Sequence, residues 1–328
     1  MKISALFCLV LVAAVPALSR ADALSEMAGF SVFGKVSLDE LAKGGIKTAA
    51  GVPMSTPRDL SVQSCFVLPK TPAQVIEALK QFDPTAHREL KVFLHSDISG
   101  APSAANFSKL AHPPGNAAAR ALSSATEKMS PELQVSRAEA QKFDSAKPIF
   151  SFWADLLLQR AKDFVAGGAS AQRAYDHTSA AAQPGREISG LVRQQPQVAK
   201  QFGGFLGTTG LMGGRGSLKP ELYWELLQVE DDGVLTLGAS YNRASAGGGY
   251  QVADGLYYAS GGYYVALTLY QIWPVDVGGR PSSLVWRGDF ISAASLGDLH
   301  GIERLAAESA MKKDILKAAT IFRNEGGR

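Results

Sequence analysis

Residues 250–293 read YQVADGLYYASGGYYVALTLYQIWPVDVGGRPSSLVWRGDFISA. Three runs rich in tyrosine, valine and leucine, at 250–260, 263–275 and 283–293, are parted by Gly261-Gly262 and Gly278-Gly279, and this is the pattern of strands joined by tight hairpins. Upstream, 223–230 and 234–243 repeat the pattern around Asp231-Asp232-Gly233, and Gly247-Gly248-Gly249 links them to Tyr250. Connections this short make neighbours antiparallel, since parallel strands need long crossovers. The expected unit is a five-stranded antiparallel meander. Residues 301–323 then form a helix of about 34 Å, long enough to cross such a sheet and lie on one face.

Two stretches precede the meander. In residues 22–100, the run 60–68 ends at Pro69 as a strand. Thr71, Pro72 and Gln74 then supply the capping box of a helix with Val75, Ile76 and Leu79 on its apolar side, and 90–94 reads as a further strand. Residues 101–218 are alanine-rich with helical spacing. The clearest helix is 148–165, where Ile149, Phe152, Trp153, Leu156, Leu157 and Phe164 share a stripe interrupted by Arg160 and stopped by Gly167-Gly168. A helix pair at 186–194 and 197–205 is divided by Pro196. The fold class expected is therefore α+β, with residues 22–100 and 219–328 forming the core and 101–218 a helical insertion or subdomain. This order resembles the helix-grip layout of START-like lipid-binding domains over the first and last of these parts. The resemblance implies a sheet bent around a helix to leave an apolar cavity.

Residues 1–21 carry an export signal: Lys2, then an uncharged apolar run from Ile3 to Val15, then Pro16 and small residues before a break expected after Ala21. The run is shorter than the roughly 20 residues that span a bilayer. The mature chain is expected in a periplasm or outside the cell, with no transmembrane segment. The 33 basic and 30 acidic residues give a formal charge of +3, falling to +1 without Lys2 and Arg20, which excludes the broad positive field of a general nucleic-acid binder. Only Cys65 of the two cysteines remains, so the core forms without a disulfide, and among Val62, Phe66, Val67 and Leu68 the thiol reads as buried and inert.

Six of nine tyrosines fall between 250 and 270. Alternation sends Tyr263, Val265, Leu267 and Leu269 to one face and Tyr264, Ala266, Thr268 and Tyr270 to the other. The second set mixes rings and hydroxyls with small gaps, suited to a small, mostly apolar, lipid-like molecule or to an ordinary sheet face. Asp254, Arg287 and Asp289 are charges embedded in strands. Arg287 is expected to pair with Asp289 or Asp254 and to anchor a ligand carboxylate or phosphate in addition. Tyr258, Tyr264, Tyr270, Trp286, Arg287, Asp289 and Asp254 are thus the candidate ligand-binding residues. No cofactor motif and no histidine or cysteine spacing for a metal appears.

Catalytic patterns are weaker. His95-Ser96-Asp97 has the letters of a triad, but consecutive strand residues alternate faces and cannot form the relay. His300 and Glu303, one helical turn apart, with Asp254 make a hydrolase the first alternative, and an envelope interaction protein without a pocket is the second. The glycine-rich 203–217 lacks a phosphate-loop ending and reads as a connector, or as a flap over a cavity.

Overall fold

The computed structural model describes residues 20–178 and 181–326. Of the segment read as an export signal, residues 1–19 lie outside the described residues. In chain order the elements are α1 (Arg20–Phe30), α2 (Leu38–Ala42), β1 (Ile46–Ala50), β2 (Asp59–Leu68), α3 (Pro72–Gln81), β3 (Val92–Ile98) and α4 (Ala117–Glu127). There follow α5 (Arg137–Ala140), α6 (Ile149–Gly167), α7 (Pro184–Arg193), α8 (Pro196–Leu206), β4 (Glu221–Val229), β5 (Asp232–Ala244), β6 (Tyr250–Ala259), β7 (Val265–Val277), β8 (Arg280–Ser292) and α9 (Gly301–Gly326).

The sheet corrects the expected five-stranded meander: it has eight strands in the order β1-β2-β8-β7-β6-β5-β4-β3, every neighbour antiparallel. The meander β4–β8 forms its continuous centre. β2 joins β8 along its whole length, from Asp59 opposite Ser292 to Leu68 opposite Ser283. β1 extends that edge, and β3 closes the other against β4. A five-stranded sheet would have left the backbone edges of β4 and β8 unpaired, and the two added flanks satisfy those donors and acceptors.

Local chemistry explains the entry into the second layer. β2 stops before Pro69, and the Thr71 side chain accepts from the Gln74 backbone N–H while the Thr71 N–H donates to Gln74 Oε1 at 2.9 Å, so α3 starts with a closed capping box. Its Val75 and Ile76, with Ala319 and Phe322 of α9, pack on Phe66, Val252, Ile272 and Val285. The opposite sheet face carries the larger core. There Trp153 and Phe164 of α6 and Phe202 of α8 meet Trp224, Tyr257, Trp273 and Trp286, so the helical stretch shares one core with the sheet. The result is three layers, with helices on both faces of an antiparallel sheet.

α9 packs chiefly along β2 and β1 rather than across the meander. The centre of that sheet face is therefore only partly roofed, and a cavity remains there. Among the described residues no helix is long and apolar enough to cross a membrane.

Candidate functional site

The cavity measures about 380 Å³. Its floor is the sheet face from β3 to β8, and its roof is α3 with Ala318 and Phe322 of α9. Strand alternation selects the floor residues: His95 and Asp97 from β3, Tyr223 and Glu225 from β4, Ser240 and Asn242 from β5, Val252 and Asp254 from β6, Thr268 and Tyr270 from β7, and Arg287 from β8. Ile76, Leu79, Phe82, Pro84 and Leu90 give the apolar wall. A polar floor thus faces a largely apolar roof, whose Lys80 pairs with Glu221.

The floor is a chain of paired groups. His95 stands opposite Glu225 in the β3–β4 register, with Nδ1 3.0 Å from Glu225 Oε1, and its Nε2 lies 3.5 Å from Asp97 Oδ1. Burial works against the imidazolium, but the Glu225 hydrogen bond and the charges of Glu225 and Asp97 outweigh it and raise the His95 pKa. The His95 and Tyr223 rings stack at 5.4 Å. Tyr223 lies over Gly238, its cross-strand partner on β5. A Cβ there would stand 2.1 Å from the ring, and the missing side chain lets the phenol reach β6. The Tyr223 hydroxyl donates to Asp254 Oδ1 at 2.6 Å.

Asp254 forms no ion pair among the described residues. Burial, with Glu225 adding to it, pushes its carboxyl up to about 6, although the Tyr223 hydrogen bond and the charges of Arg287 and His95 work the other way. On β8, Arg287 donates through Nε and Nη2 to Asp289, with Nη2 2.6 Å from Oδ1, and its guanidinium lies 5.6 Å from the Tyr270 ring centre. Thr268 donates to the same Asp289 oxygen at 3.1 Å. Both Asp289 oxygens are engaged, and the pair is neutral as a unit. Burial pushes the Tyr270 hydroxyl up to about 12, with Arg287 opposing.

Of the candidate residues, Asp254, Tyr270 and Arg287 line the cavity, and Asp289 stands behind Arg287. The other three lie toward the opposite face. Trp286 is wholly buried there, edge-on to Phe30 at 4.8 Å, with Nε1 donating to Gln63 Oε1. Tyr258 lies beneath the Arg160 guanidinium at 4.3 Å, and Arg160, which interrupted the α6 stripe, is itself wholly buried and pairs with Glu139 at 2.6 Å. A bulge causes the Tyr258 displacement: Leu237 pairs with Tyr258 and Gly238 with Leu256, so Tyr257 and Tyr258 both enter the core, and Tyr257 stacks on Phe164 at 3.9 Å. Tyr264 precedes β7, where alternation does not yet hold, and stacks on Tyr175 at 6.1 Å.

His300 and Glu303 are exposed at the start of α9 and do not line the cavity that holds Asp254. The glycine-rich segment after α8 also belongs to the other face: Leu211 is wholly buried against Gly255, and the Gly210 N–H donates to the Tyr241 hydroxyl. Cys65 is buried, and burial pushes its thiol up to about 12. Among the described residues no group of three or more His, Cys, Asp and Glu side chains is placed to hold a metal ion.

Sequence reasoning missed Tyr223 and Glu225, and it set aside His95 and Asp97. The usable signal was parity: Tyr223 and Glu225 alternate with Leu222, Trp224 and Leu226, and His95 and Asp97 are two apart on one strand. Comparison of the chain with protein-family models, with curated proteins and with solved structures finds no match.

Proposed function

We propose that this protein is a non-enzymatic binding protein for a small, mostly apolar ligand, and that the export signal in residues 1–21 places it in a periplasm or outside the cell. The observation that carries the binding reading is the cavity between sheet and helices, with a largely apolar wall under α3 and α9 and most of its hydrogen-bonding groups on the floor. The floor favours holding over reacting. Both His95 nitrogens face carboxylates, the Tyr223 hydroxyl donates to Asp254, and Arg287 pairs with Asp289, so these groups are engaged with one another before any ligand arrives.

The test is thermal unfolding with a panel of short amphiphiles, on the wild-type chain and on Ala318→Trp, which places an indole at the cavity wall. At 100-fold excess over its Kd, a cavity ligand stabilises the wild type by about 2.7 kcal/mol, a rise of several degrees. Ala318→Trp is expected to remove that rise. No rise with any amphiphile, or an equal rise in the variant, contradicts the reading. Export is checked by sequencing the N-terminus of the secreted chain, expected to begin at Asp22; a chain retained with residues 1–21 contradicts it.

A further inference from the structure

The charge balance of the cavity floor identifies the head group its ligand carries. Two cations lining the cavity are already matched: Arg287 of the floor by Asp289, and Lys80 of α3 by Glu221 at 3.0 Å. The imidazole of His95 sits between two carboxylates, Glu225 and Asp97, and neutralises at most one. Asp254 has only the Tyr223 hydroxyl, a neutral donor. With Asp254 ionised the cavity therefore holds two to three negative charges in excess, beside an apolar wall that strengthens their field. An anionic head would meet that field with no unmatched cation to receive it, which removes the expected use of Arg287 as an anchor for a carboxylate or phosphate.

We infer that the cavity takes an amphiphilic amine, its protonated nitrogen placed against Asp254 and its hydrocarbon part under α3 and α9. This rests on the binding reading above and adds the chemical class of the ligand. An ammonium supplies the ion pair that Asp254 lacks, on a floor that Thr268, Ser240 and Asn242 also line. The hydrocarbon meets Ile76, Leu79 and Phe322.

Protonation sets a second signature. An ammonium binds the ionised form of Asp254, so its affinity rises with pH through about 6 and falls, by up to tenfold per unit, below it. The groups facing Asp254 are Tyr223 and Glu225 from β4, His95 and Asp97 from β3, Tyr270 from β7, Arg287 and Asp289 from β8, and Lys80 from α3. α9 brings only Ala318 and Phe322. Of these, His95 also gains charge on acidification and so acts in the same direction.

The experiment is calorimetric titration of the full chain with octylamine, octanol and octanoate below their micellar concentrations, at pH 5 and pH 8. Octylamine is expected to bind at least tenfold tighter than octanol at pH 8, with octanoate weakest and the octylamine advantage shrinking at pH 5. Asp254→Asn, its folding checked by a cooperative urea transition, is expected to abolish the amine advantage over octanol. Octanol or octanoate binding as tightly as octylamine overturns the amine assignment and leaves the binding reading standing. An amine advantage unchanged in Asp254→Asn likewise overturns the assignment. Failure of all three compounds to bind, or equal binding by Ala318→Trp, overturns the binding reading itself.

Discussion

On the cavity floor, burial of Asp254 works against its charge. Its carboxyl titrates near 6 in the folded chain and near the ordinary aspartate value of about 4 when unfolded. A raised carboxyl favours the protonated fold, so its ionisation costs stability progressively as pH rises from about 4 through about 6. Asp254→Asn keeps an acceptor for the Tyr223 hydroxyl and removes that cost. The variant is expected to gain stability relative to wild type on going from pH 5 to pH 8, read as the shift in urea midpoint. A pH-independent difference contradicts the burial account of this residue. At the same scale, Arg160 shows what sequence cannot display. A charge within an apolar helical stripe reads as an interruption, but the partner that makes it tolerable, Glu139, and the rings of Tyr258 and Tyr175 become visible only once α6 is laid on the sheet.

At the scale of elements, signals confined to neighbouring residues were legible. The capping box of α3, Pro196 at the first turn of α8, and the glycine-bearing turns of the meander each depend on a few adjacent side chains. Pairings over long separations left no such mark, which is why the sheet was expected with five strands and has eight. β2 and β8 are more than 200 residues apart in sequence, and β1, Ile46–Ala50, shows no clean alternation of buried and exposed positions. The bulge at Tyr257 is also invisible to a period-two reading, and it removes Tyr258 from the cavity. Gly238 was a readable signal of a different kind, since a glycine within a strand marks a close approach, here by the Tyr223 ring. Gly238→Ala is expected to displace that ring, break its hydrogen bond to Asp254 and cost roughly 1–3 kcal/mol, the range for overpacking a filled site. A urea midpoint equal to that of wild type contradicts the proposed dependence of the site on this glycine.

For the whole molecule, the two faces of the sheet have different work. One packs against most of the helices in a tryptophan- and phenylalanine-rich core, and the other is left partly open because α9 follows β2 and β1 instead of the meander. Asp254, Tyr270 and Arg287 stood out in the sequence as charges and a ring within strands, but alternation within each strand does not say that they share one surface. That, and the contribution of β3 and β4, needed the order of the sheet. The most direct measurement is amide-resolved NMR of the isotopically labelled chain during addition of octylamine. The account predicts saturable shifts centred on Tyr223, Asp254, Tyr270, Arg287 and the 318–322 turn of α9. Shifts confined to exposed apolar positions such as Ile302 and Leu305, or none that saturate, would contradict it.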